Sequence, residues 1–127
     1  MKKILVLDDD MTFVATIKAS LDTARYTVES AGNGEEGLSH MKESLPDLIL
    51  LDINMPKMDG ITFLKDMNTA YGQGKIPVLV TSNVSSLDTI SEGVSLGIRG
   101  YFVKSDESLE GIAHIIDGVF KEAGASA

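Results

Sequence analysis

Cysteine is absent from the 127 residues, so neither a disulfide framework nor a thiolate metal site can be built, and a reducing cytosol suits the chain. Basic residues are scarce: 11 Lys and Arg stand against 19 Asp and Glu, a formal net charge of −8. That deficit argues against the sequence-independent phosphate contacts on which nucleic-acid binders rely. No apolar run approaches the roughly 20 residues that span a bilayer. The stretch Ile4-Leu5-Val6-Leu7 after Lys3 is far shorter than the core of a signal peptide. A soluble, cytoplasmic chain without nucleic-acid or membrane contacts is therefore expected. Repeats, linkers and low-complexity segments are also missing, so the length reads as one domain with a sizeable core and no room for an output module.

What the chain does have is a series of short apolar runs that stop at polar groups. Leu48-Ile49-Leu50-Leu51 ends in Asp52 and reads as a strand buried on both faces. Ile4 to Leu7 ends in Asp8-Asp9-Asp10, Ile76 to Thr81 leads into Ser82, and Tyr101-Phe102-Val103 ends at Lys104. Tyr26 to Ser30 supplies a further β-favouring stretch. Between them lie segments with helical spacing: Phe13, Val14, Ile17, Leu21 and Ala24 within 11–24; Leu38, Met41 and Leu45 after the Gly32-Asn33-Gly34 turn; and Phe63, Leu64 and Met67 within 61–71 behind an Asp59 cap. Leu87, Ile90 and Val94 then mark a fourth helix, and Leu109, Ile112, Ile115, Val119 and Phe120 a fifth. Strands alternating with helices, without hairpin signals, predict a doubly wound five-stranded parallel sheet with helices on both faces. The domain is expected over 1–122, with 123–127 as a frayed tail.

In such sheets ligands bind at the carboxyl ends of the strands. Asp8, Asp9 and Asp52 would meet there and repel one another, and a hard divalent cation on oxygen ligands would relieve that repulsion. Mg²⁺ suits a site with few protein ligands and several waters; no dense acidic loop favours Ca²⁺. A carboxylate beside Mg²⁺, faced by an ammonium and a hydroxyl, has the parts needed to accept a phosphoryl group.

The motifs Val6-Leu7-Asp8-Asp9, Pro46 to Pro56, Asp59-Gly60 and Gly100-Tyr101-Phe102-Val103-Lys104 together resemble the receiver domain of the two-component response-regulator family, in particular its stand-alone chemotaxis-type members. The resemblance runs from Lys3 to about Lys121. It implies a flavodoxin-like fold with strand order 2-1-3-4-5 and a signalling switch rather than a turnover enzyme. It makes Asp52 the phosphoacceptor, Asp9 a direct Mg²⁺ ligand, Asp8 an acid acting mainly through water, and the Asn54 main-chain carbonyl a further ligand; Mn²⁺ can replace Mg²⁺. Lys104 would contact the phosphoryl group, Ser82 would be the switch hydroxyl, and Tyr101 the aromatic switch. Ser82 is preferred to Thr81 because it lies five residues after Pro77, and because adjacent strand residues face opposite ways. The implied partners are a histidine kinase or histidine phosphotransfer protein, and a downstream protein on the face formed by the fourth helix, fifth strand and fifth helix; a homodimer is compatible.

Two positions depart from the family pattern. Asn83 follows the switch hydroxyl where a small residue is usual, so its bulk is expected to alter phosphorylation and hydrolysis rates. Ser105 replaces the usual cis proline after Lys104, and a cis bond without proline costs about 3–4 kcal/mol, so that peptide is either trans or held cis under strain. Two other classes compete. An aspartyl phosphatase would want a second acid at position 54, which is Asn, and a flavin binder would want a phosphate cradle in place of Asp8-Asp9-Asp10. His40 and His114 are assigned no chemistry, and the methionines at 11, 41, 55, 58 and 67 read as core or loop packing.

Overall fold

The computed structural model describes residues 2–21, 24–53, 60–82, 87–104 and 108–126, with the backbone alone described at 82, 87–90, 109 and 122–126. Strands and helices alternate as β1 Lys2–Leu7, α1 Met11–Ser20, β2 Tyr26–Ala31, α2 Gly34–Glu43, β3 Leu48–Asp52, α3 Gly60–Tyr71, β4 Val78–Ser82, α4 Leu87–Ser95, β5 Gly100–Val103 and α5 Leu109–Ser126. All strand pairs are parallel, in the order β2-β1-β3-β4-β5. This is the flavodoxin-like order, with β1 and β3 side by side at the point where the winding reverses.

Alternation along the strands sends side chains to two layers. Leu5, Leu7, Ile49, Leu51 and Val80 pack with Met41 of α2 and Phe63, Leu64 and Met67 of α3. Ile4, Val6, Leu48, Leu50 and Phe102 pack on the other side with Val14 and Ile17 of α1 and Ile112, Ile116 and Val119 of α5. Because both faces of β3 are covered, each of its residues is buried, which is why its sequence is a continuous apolar run.

Side-chain caps set where helices begin. Asp10 accepts from the Thr12 and Phe13 amides at the start of α1. At α2 the Glu36 amide donates to Asn33 Oδ1, while Glu36 Oε2 accepts from the Gly32 amide. The first bond is the N-cap half of a capping box, and the returning Glu36 bond falls one residue earlier, on Gly32 rather than on the cap itself.

The structure corrects several expectations. α1 stops at Ser20, four residues early, because Leu21 turns extended (φ −89°, ψ 144°); Leu21 still reaches the core, but Ala24 is exposed. Ser44 is likewise extended after α2, so Leu45 leaves the helical stripe and is 50% exposed. Val94 points to solvent rather than inward. Gly93 is the buried residue of that turn, approached so closely by Ile98 that a Cβ there would lie 2.9 Å from Ile98 Cδ1. On α5 the fully buried residue is Ile116, with Ile115 only partly covered. β4 begins after Pro77, which has no amide proton for a ladder. Met11 is 65% exposed, unlike Met41 and Met67. The backbone of α5 continues to Ser126 through the residues read as a tail. Asp59, Met55 and Met58 lie outside the described residues.

Candidate functional site

Pairing of Leu7 with Leu51 brings the ends of β1 and β3 level, so the residues that follow them emerge together at the carboxyl edge. Asp8 and Asp52 are 1% and 5% exposed, whereas Asp9 is open to solvent. Carboxylate oxygens of the three lie within 4.8 Å of one another. β4 adds Thr81, the register partner of Asp52, itself 1% exposed.

The three consecutive acids do different work. The Asp8 amide donates to Ala31 O at 3.0 Å, tying the β1 end to β2, and Asp8 Oδ1 accepts from the Asp10 amide at 2.9 Å. Asp10 spends its carboxylate on the α1 cap. Asp9 is exposed beside the buried Asp8.

Lys104 follows β5 and crosses the site. Its Nζ lies 2.5 Å from Asp8 Oδ2 and 3.6 Å from Asp52 Oδ2, with the lysine side chain only 9% exposed. It also stands 4.4 Å from the centroid of the Phe13 ring. Asp8 Oδ2 is buried without a hydrogen bond of proper angle, so the close approach of the ammonium is an ion pair and not an aligned N–H···O contact. Among the described residues the Lys104 ammonium pairs with Asp8 and Asp52, so one cation stands against three clustered carboxylates. Two buried carboxylates and an exposed one, with oxygens within 4.8 Å of one another, form an all-oxygen set that fits a hard divalent cation such as Mg²⁺.

Gly60 packs against the main chain at the end of β3. Its amide donates to Ile53 O at 2.9 Å, and a Cβ at this position would lie 2.7 Å from Asp52 O and 2.8 Å from Ile53 Cα. α3 thus begins directly against the end of β3, which glycine alone permits.

Asp8, Asp9, Asp52 and Lys104, chosen from the sequence, are brought together here. Ser82 ends β4 opposite Val103, one residue beyond the Asp52–Thr81 pair, but its side chain lies outside the described ones. Asn54, Asn83 and Ser105 also lie outside the described residues, and with them the third ligand, the bulk next to the hydroxyl and the Lys104-Ser105 peptide. Tyr101 is 40% exposed on the edge strand. His40 stands away from this chemistry, with Nδ1 3.4 Å from Glu29 Oε2, and His114 is exposed. Two roles had escaped the sequence reading. Asp10 as a cap was legible from its place one residue before a helix; the contact of Phe13 with Lys104 had no signal, because nothing in helical spacing says which distant cation a core ring meets.

The family model described as "Response regulator receiver domain" matches residues 4–116. Among curated proteins the chain is 33% identical over 125 residues to the transcriptional regulatory protein PrrA of Mycobacterium leprae, covering 98% of this chain and 52% of that protein. The chain spans 15%, 22% and 52% of the lengths of the first three curated relatives it matches. A chemotaxis protein CheY4 structure from Vibrio cholerae is similar at TM-score 0.84 and 29% identity, over 94% of this chain and 98% of that one. A CheY-like receiver domain protein from Methanospirillum hungatei JF-1 shares the fold at TM-score 0.89 and 24% identity, over 100% and 99% of the two chains. No helix among the described residues is long and apolar enough to cross a membrane.

Proposed function

Because the chain belongs to the response-regulator receiver-domain family, whose general function is phosphorylation on an aspartate, we propose that Asp52 is the phosphoacceptor of this member. The observation that carries this reading is the buried Asp52 carboxylate at the end of the central strand, within reach of Asp8, Asp9 and the Lys104 ammonium. In the proposed step a carboxylate oxygen of Asp52 attacks phosphorus. The P–N bond of a phosphohistidine on a kinase or phosphotransfer protein breaks as the P–O bond forms, and the departing imidazole takes up a proton.

Asp8, Asp9, Asp52 and the Asn54 main-chain carbonyl would hold Mg²⁺, or Mn²⁺ in its place. When bound, the ion neutralises charge on the phosphoryl oxygens. Lys104, whose Nζ already lies 3.6 Å from Asp52 Oδ2, would contact an oxygen of the new phosphoryl group. The Ser82 hydroxyl would donate to another of its oxygens. Water later hydrolyses the acyl phosphate, so the domain resets itself without being a turnover enzyme.

Output follows from the new charge. Drawing Ser82 and Lys104 inward pulls on the ends of β4 and β5, and Tyr101, partly exposed in this state, turns inward. The face of α4, β5 and α5 then changes its affinity for a downstream protein, or for a second copy of the chain. Such a shift requires different affinities in the two states.

Intact mass after incubation with Mg²⁺ and acetyl phosphate tests the central claim. The expected result is one added phosphoryl group on the native chain and none on Asp52→Asn. Equal labelling of both would overturn it. Comparing Asn83→Ala in the same assay reads the effect of that side chain, with altered uptake and decay rates expected.

A further inference from the structure

We infer that Phe13, on the first turn of α1, is a positioning residue for Lys104: its ring face holds the ammonium against Asp8 and beside Asp52, where a phosphoryl group would arrive. The inference rests on the reading of Lys104 as the group that contacts the phosphoryl oxygens. It goes beyond that reading by naming what aims the lysine before reaction.

The geometry supplies the argument. Lys104 Nζ is nearly out of solvent, so the water that normally surrounds an ammonium has to be replaced by protein. Asp8 Oδ2 at 2.5 Å and Asp52 Oδ2 at 3.6 Å cover part of its surface. The Phe13 ring, with its centroid at 4.4 Å, covers another part. An aromatic face carries negative quadrupole charge and attracts a cation placed within about 6 Å of its centroid, more strongly when both are desolvated. The ring is itself well held. Its backbone amide donates to Asp10 Oδ1 at 3.2 Å, and its side chain packs against the layer shared by α1 and α5. Asp10, Phe13 and Lys104 thus form one line of support, in which a helix cap locates a ring and the ring locates a cation.

The position chosen for the ammonium has two consequences. Against Asp8 Oδ2 it occupies an oxygen that a divalent cation would also use, so the ring indirectly opposes metal binding. Close to Asp52 it keeps positive charge ready for the phosphoryl group, so the ring favours the transfer itself. Replacing the ring by an aliphatic side chain of similar reach therefore predicts opposite changes in two quantities. Mg²⁺ binds about two- to tenfold more tightly, while phosphoryl uptake at saturating Mg²⁺ slows by about two- to tenfold, the factors corresponding to the strength of such a contact. Damage to packing alone would weaken both together.

The test uses the full chain labelled with ¹³C and ¹⁵N. In the native protein the Lys104 Hε protons, assigned by their loss in Lys104→Arg, are expected upfield through the ring current of Phe13. Phe13→Leu returns them toward ordinary lysine values, tightens Mg²⁺ in a titration followed by backbone shifts, and slows uptake from acetyl phosphate. Phe13→Tyr, which keeps the ring face, restores all three. Ordinary Lys104 Hε shifts in the native chain overturn the inference without any variant, which covers the case in which Phe13→Leu does not fold. Normal phosphorylation with an unmoved Mg²⁺ constant in Phe13→Leu overturns it as well. A native chain that takes no phosphoryl group, yet shows the shifted resonance and the tightened Mg²⁺ in Phe13→Leu, would sink the phosphoacceptor reading and leave the positioning by Phe13 standing.

Discussion

Gly60 lies so close beneath Asp52 that a single added carbon would stand 2.7 Å from the Asp52 carbonyl oxygen. The atoms in the way are main chain, at Asp52 and Ile53, and no side-chain rotation can clear them. The end of β3 and the start of α3 are therefore one mechanical unit, although six residues outside the described set separate Ile53 from Gly60.

Gly60→Ala is expected to displace the Asp52 carboxylate and to cost about 1–3 kcal/mol through overpacking. Urea unfolding gives the stability loss, and acetyl phosphate labelling gives the functional one, with uptake falling by more than the loss of folded protein accounts for. Unchanged labelling in a variant of native stability would show that the loop yields without moving the acid.

The adjacent acids 9 and 10 should separate cleanly. Asp9 is exposed, so Asp9→Asn is expected to change stability without metal by no more than about 0.5 kcal/mol, while most of the rise in Tm on adding Mg²⁺ disappears. Asp10→Ala loses the α1 cap and about 0.5–2 kcal/mol but keeps that rise. Thermal melts with and without Mg²⁺ compare them. An identical Mg²⁺ response in native chain and Asp9→Asn would remove Asp9 from the metal site.

Lys104→Met takes the ammonium away from two buried carboxylates. Breaking a buried ion pair from one side costs about 3–5 kcal/mol, and a cation that binds the folded state alone recovers stability by mass action. The variant is thus expected to be strongly destabilised in EDTA and substantially rescued by Mg²⁺, as read by urea denaturation. Equal stability of native and variant chains in EDTA would mean that the ammonium is not compensating those acids.

Away from the site, the Tyr26 hydroxyl donates to Asp117 on α5, and its ring stacks on Phe120 with centroids 5.6 Å apart. Tyr26→Phe keeps the stack and loses the charge-assisted bond, at an expected cost of about 1.5–3 kcal/mol. Phosphoryl uptake should not change. A fall in uptake at equal folded fraction would show coupling between this corner and the acidic edge.

Much of the architecture could be read without coordinates, since apolar runs closed by acids or lysine allow little but parallel strands with working ends at one edge. Asp8, Asp9, Asp52 and Lys104 were recognisable because a group at a strand terminus is located by chain direction alone. Val94 and Leu45 were misread for a common reason: helical spacing defines a stripe only while the helix continues and only relative to its own axis. Where Ser44 turns extended the stripe ends, and where Gly93 lets Ile98 approach, α4 rotates so that its glycine faces in and its valine out.

Local pattern thus decided which residues become strands and helices, and which charged groups reach the carboxyl edge, because backbone periodicity and chain direction are short-range properties. Packing alone decided that the Lys104 ammonium rests between Asp8 and a phenylalanine ring, that Asp8 keeps one oxygen without an aligned partner, and that Gly60 sits against the main chain of Asp52. Those are contacts between segments far apart in the chain, and their distances exist only once the layers on both sides of the sheet have closed.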